Sequence, residues 1–84
     1  MKSAIEISMY PLTGDYLRLI RAFIDRLNTY PDLTVRTNSL STQIWGELGH
    51  AMNVLAREIE RSAAAAPQLV FVVKVLPGLS PPAV

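Results

Sequence analysis

The chain contains no cysteine. That excludes disulfides, thiol nucleophiles and every metal site built on thiolates. Histidine and tryptophan each occur once, as His50 and Trp45. A metal centre would need His50 to recruit carboxylates, and only Glu47 stands close to it, so no metal site is expected. On a helix wheel His50 faces solvent. Charge of either sign is scarce in excess: 8 Lys and Arg against 7 Asp and Glu give a net +1. There is no basic field to draw nucleic acid and no acidic field to draw cationic partners. Long apolar runs are missing too. Leu69 to Val73 is far too short to span a bilayer, and the start, MKSAIEISMY, lacks the apolar core of a signal peptide. These absences read as a cytoplasmic protein.

Catalytic signatures are equally sparse. The chain has no GxSxG, no P-loop and no GxGxxG. Ser8, Ser39 and Ser41 have no evident histidine base to activate them. Glu58 and Glu60 project from nearly opposite sides of one helix, so they form no carboxylate dyad and read as solvated surface charge. The residues predict a protein that is not an enzyme and needs no cofactor.

What is present suffices for one domain. Of 84 residues, half are hydrophobic, enough for a core. A chain this short buries only about 60–65% of the surface its unfolded form exposes, so association with further copies would help it.

The hydrophobic pattern changes period four times. Residues 4–10 alternate, with Ile5, Ile7 and Met9 on one side and Glu6, Ser8 and Tyr10 on the other, as in a half-buried strand ended by Pro11. Thr13 or Asp15 can then cap a helix. Its apolar face is Tyr16, Leu17, Ile20, Phe23, Ile24 and Leu27, with Arg18, Arg21, Asp25 and Arg26 opposite. Tyr30-Pro31-Asp32 stops it. Residues 33–38 alternate again, a turn follows at Asn38 to Leu40, and Ser41 to Trp45 makes a third strand in a hairpin. A second helix begins near Glu47, with Leu48, Met52, Leu55 and Ile59 on its apolar face. Gly46 and Gly49 weaken its start, and Pro67 ends it. Residues 68–76, QLVFVVKVL, form a last strand, apolar on both sides except at Lys74.

The order β-α-β-β-α-β predicts a ferredoxin-like α+β fold over residues 1–78, followed by an irregular tail at 79–84. Right-handed crossovers place both helices on one face of a four-stranded antiparallel sheet of order 4-1-3-2. The helices cover Ile5, Ile7, Met9, Val35, Phe71 and Val73. The open face carries Glu6, Ser8, Tyr10, Arg36, Asn38, Gln43, Trp45, Val70, Val72, Lys74 and Leu76. Its apolar members form a patch that a second subunit would cover, giving a homo-oligomer, dimer or tetramer, through the open sheet face. An RNA-recognition domain shares this element order, but Ser41 to Gly46 has one aromatic and no basic residue, so RNA binding is not expected.

The hairpin TNSLSTQIWG, residues 37–46, is rich in hydroxyls and amides. Turn and strand preferences account for it as ordinary structure. The functional reading is a small flat ligand. Asn, Gln, Ser and Thr suit the donor and acceptor edge of an aminopyrimidine, and an aromatic suits its face. A cationic ring would favour Trp45 or Tyr10, with Glu6 as counter-charge.

IEISMYPLTGDY, RLNTYPDLTVRTNSLSTQIWG and LVFVVKVLPG, in that order and spacing over residues 4–78, resemble the YkoF-like thiamine/hydroxymethylpyrimidine-binding proteins. MYPL after the first strand and TNSLSTQIWG in the hairpin carry most of the likeness. The resemblance implies ferredoxin-like units that pair through their sheets, and non-catalytic binding of thiamine or its pyrimidine moiety in vitamin salvage or transport. Carried onto this chain, it points to Ser8, Tyr10, Asn38, Ser39, Ser41, Thr42 and Gln43 as a polar lining with Trp45 as a wall. The alternative from another class is a structural or regulatory ACT-like oligomerisation module without a vitamin ligand.

Overall fold

A computed structural model describes residues 1–66 and 68–82. The elements run β1 (Lys2–Pro11), α1 (Tyr16–Leu27), β2 (Thr34–Thr37), β3 (Thr42–Glu47), α2 (Leu48–Ala65) and β4 (Leu69–Pro77). The sheet order is β2-β3-β1-β4 and every pairing is antiparallel. This is the ferredoxin-like arrangement expected from the sequence. Pro67, expected to end α2, and the last two residues of the tail, 83–84, lie outside the described residues; 79–82 form no helix or strand. No described helix is long and apolar enough to cross a membrane.

Alternation along β1 divides its side chains as predicted. Ile5, Ile7 and Ile44 are buried against α1 and α2 with Phe23, Leu27, Val54 and Leu55, while Met9, Val35, Phe71 and Val73 pack around them. Phe23 and Phe71 meet with ring centroids 5.3 Å apart. On the opposite face the register lines up two rows. Thr34, Trp45, Ala4 and Leu76 make one; Arg36, Gln43, Glu6 and Lys74 make the next.

The helix faces need correcting. In α1 the buried residues are Leu19, Phe23 and Leu27, a stripe rotated from the one read in the sequence. Leu17 is 67% exposed and Tyr16 also reaches solvent, because the first turn of α1 lies at the margin of the core. In α2 the buried stripe is Ala51, Val54, Leu55, Glu58 and Ser62, and Met52 is exposed. Glu58 is therefore not surface charge. It is fully buried on the face that meets α1.

Its partners explain why that is tolerated. Arg26 Nε donates to Glu58 Oε1 at 2.6 Å and Tyr30 Oη donates to Oε2 at 2.6 Å. Arg61 stands 3.4 Å from Oε2. Arg26 Nη2 also donates to Ser62 Oγ at 2.6 Å and to the Glu58 carbonyl at 3.3 Å. A buried charge survives only when it is paired and hydrogen-bonded. Burial raises the Glu58 pKa, but the bonds from Tyr30 and Arg26 and the charges of Arg61 and Arg26 outweigh it, leaving the carboxyl below its ordinary value. Arg26, expected on the solvent side of α1, is instead the clamp between the helices.

The start of α2 is firmer than its glycines suggest. The Glu47 carboxylate caps it, accepting from Gly49 N and His50 N at 3.0 Å each. Those two bonds hold its pKa below the ordinary value. His50 does not stand free in solvent; its Nε2 lies 2.8 Å from Asp32 Oδ2.

Candidate functional site

The site arises where β1 outruns its neighbour. β1 pairs with β4 as far as Pro11, but with β3 only as far as Ile7 opposite Thr42. Beyond that point the hairpin turns away. Asn38 causes the turn: its side-chain Oδ1 accepts from Leu40 N at 2.8 Å and Ser41 N at 3.0 Å, an Asx turn that spends the loop's amides locally. The missing stretch of ladder leaves a cleft of about 400 Å³ between the end of β1, the hairpin loop and the first turns of α1.

Six of the eight residues proposed from the sequence line this cleft: Ser8, Tyr10, Asn38, Ser39, Ser41 and Thr42. Gln43 and Trp45 do not. They line a second cavity of about 370 Å³ on the open face with Glu6, Lys74, Leu76 and Leu79. The cause is position along the sheet. Gln43 and Trp45 pair with Glu6 and Ala4 inside the ladder, whereas the cleft starts past its last pair, Ile7 with Thr42. Trp45 is only 9% exposed, so it is not the open aromatic wall expected, and its Nε1 is buried without a hydrogen-bond partner among the described residues.

Several of the cleft's polar groups are already engaged. Ser41 Oγ donates to Glu6 Oε2 at 2.9 Å and accepts from Gln43 Nε2 at 2.7 Å. Lys74 Nζ stands 3.5 Å from Glu6 Oε1. The chain Gln43–Ser41–Glu6–Lys74 thus ties the hairpin to the open face and occupies Glu6, the counter-charge proposed for a cationic ring. Thr42 and Thr37 share a hydroxyl contact of 3.1 Å. Ser8 Oγ reaches the Leu40 carbonyl only at 3.5 Å. Tyr10, 53% exposed, stands at the mouth.

The sequence reading missed the apolar half of the cleft. Tyr16, Ile20, Phe23 and Ile24 of α1, with Leu12 and Met9, complete the lining. The signal was the 16-20-23-24 spacing, which carries the α1 stripe past the end of the sheet. Among the described residues, no histidine, lysine, arginine or carboxylate lines the cleft. His50 belongs to the second helix's first turn and its Asp32 pair, away from this lining. No group of three or more His, Asp or Glu among the described residues is placed to hold a metal.

No family model and no curated protein matches the chain. Solved structures do. The fold is shared. A Streptococcus pneumoniae protein is 26% identical over 94% of this chain and 89% of its own, with a TM-score of 0.87. A proposed thiamine biosynthesis/salvage protein of Thermotoga maritima is 15% identical over 90% of this chain and 83% of its own, with a TM-score of 0.82. A Bacillus cereus domain of unknown function, DUF77, is 17% identical over 99% of this chain and 84% of its own, with a TM-score of 0.80. These likenesses show that the architecture recurs nearly end to end.

Proposed function

We propose that the protein binds thiamine or its hydroxymethylpyrimidine moiety without transforming it, in salvage or transport of the vitamin. The cleft at the end of β1 carries this reading. Its volume of about 400 Å³ falls within the range of small-molecule sites, and it combines an apolar wall with a few polar groups, as such sites do. The proposed vitamin role of the Thermotoga neighbour supports the ligand class. Among the described residues the lining holds no histidine, lysine or carboxylate to serve as acid or base, which favours binding over catalysis.

The open sheet face favours self-association alongside it. Val70, Val72 and Leu76 are 45, 48 and 44% exposed on one strand. A second copy packed on that face would bury them at about 25 cal/mol per Å² of apolar surface. The same patch is what an ACT-like assembly module without a ligand would present.

Thermal unfolding with thiamine and with hydroxymethylpyrimidine separates the readings. Ligand at about 100 times Kd stabilises the native state by about 2.7 kcal/mol. At about 4–8 °C per kcal/mol for a domain of this size, Tm should rise by about 10–20 °C. An oligomer on light scattering with no response to either compound would replace vitamin binding with the assembly reading.

A further inference from the structure

The gap in the ladder has a chemistry of its own. In antiparallel pairing the N–H and C=O of one residue point the same way, and successive residues point to opposite neighbours. Three bonds fix the parity on β1. Leu12 N donates to the Gln68 carbonyl, Gly78 N to the Lys2 carbonyl, and Leu48 N to the Met1 carbonyl, at 3.1, 2.7 and 2.9 Å. Even-numbered residues of β1 therefore address β4, and odd-numbered ones address β3. Beyond Ile7, β3 is gone. The backbone N–H and C=O of Met9, and the C=O of Pro11, point into the cleft with no ladder partner among the described residues.

The loop does not replace the lost strand. Leu40, which continued pairing would set opposite Met9, gives its N–H to Asn38 Oδ1 and offers its carbonyl to Ser8 Oγ. Pro11 has no N–H to leave over, which suits a residue facing a gap. Met9 is half-buried, and backbone polar groups out of water need partners. One residue thus presents a donor and an acceptor side by side, beside the apolar stripe Ile20, Phe23 and Ile24.

We infer that the Met9 backbone N–H and C=O are the recognition edge of the cleft, reading a planar nitrogen heterocycle that carries an amino group next to a ring nitrogen. The amino group donates to the Met9 carbonyl and the ring nitrogen accepts from the Met9 N–H, as an opposing strand residue would. The ring then lies along the stripe of α1. A peptide strand is a poorer occupant. It would find only Met9 and Pro11 to pair with, and one of them has no donor. This rests on the vitamin-binding reading and deepens it, since a 4-aminopyrimidine has such an edge.

The test uses the full chain labelled with 15N, titrated with 4-amino-5-hydroxymethyl-2-methylpyrimidine and with the same compound lacking the 4-amino group. At saturation the Met9 amide proton should move downfield and exchange more slowly, and the desamino compound should bind about tenfold more weakly. Met9→Ala keeps the amide, whereas Met9→Pro removes it without breaking a bond to β4. If both variants retain the circular dichroism of the parent, Met9→Pro should bind about tenfold more weakly than Met9→Ala. Saturation with an unmoved Met9 amide, equal binding of the desamino compound, or equal binding by the two folded variants overturns the recognition edge and leaves vitamin binding standing. Failure of the amino compound to saturate at millimolar concentration overturns both.

Discussion

Removing the guanidinium at position 26 should loosen the helix layer. Arg26 gives Glu58 Oε1, the Glu58 carbonyl and Ser62 Oγ one hydrogen bond each. Arg26→Met keeps the aliphatic volume and deletes all three. Stripping a buried carboxylate of its partner costs about 3–5 kcal/mol. Here Tyr30 still donates to Glu58 and Arg61 still stands beside it, which puts the cost near the lower bound, about 3 kcal/mol. At about 4–8 °C per kcal/mol, Tm at neutral pH falls by about 12–24 °C. The pH dependence sets this apart from simple packing loss. The Glu58 pKa is lowered in the folded state, so its pairing stabilises above the unfolded carboxylate pKa. That stability is lost as pH falls through the lower folded value. The gap in Tm between parent and variant should therefore narrow below the ordinary Glu range, about pH 4.3. Calorimetry or circular dichroism across this range measures it. A gap that is equally wide at neutral and acidic pH, or a loss under about 1 kcal/mol at neutral pH, refutes the argument that a charge-assisted pair joins α1 to α2.

Three further outcomes follow from the site. Asn38→Ala frees Leu40 N and Ser41 N, and should cost about 1–2 kcal/mol while weakening pyrimidine binding; stability and titration calorimetry read both effects. Trp45→Ala should destabilise by about 3–5 kcal/mol, yet leave the affinity of the folded fraction for hydroxymethylpyrimidine unchanged, because Trp45 lines the other cavity; an abolished affinity would place the ligand on the open face. Val72→Lys sets a charge in the middle of the open-face patch and should shift light-scattering mass toward monomer, with the circular dichroism of the parent retained.

Much of the fold was legible because strand alternation is unforgiving. Ile5, Ile7 and Met9 could face only one way once Glu6 and Ser8 faced the other, and the β-α-β-β-α-β order then dictated the sheet. Alternation could not divide the hairpin's polar residues between two cavities, because Ser41 and Gln43 share a parity yet line different ones; where the β1–β3 ladder ends divides them. Glu58 was illegible for a different reason. Its partners Arg26 and Tyr30 lie 32 and 28 residues away, so no local pattern distinguishes it from solvated charge. The cleft was partly visible through TNSLSTQ, but its cause was not. Whether Asn38 caps its own loop or extends a ladder depends on where β3 starts against β1, a long-range fact.

The Asx turn at Asn38 also works as a ruler. By binding the amides two and three residues on, it counts out how many residues the loop may hold before β3 engages Ile7 through Thr42. A strand that slips by one residue exchanges its two faces. Ile44 would then meet solvent, and the indole of Trp45 would be driven into a space filled by an isoleucine. A loop of this length is therefore bound to the identity of every side chain on the strand after it, and one inserted residue there should prove costlier than most substitutions within it.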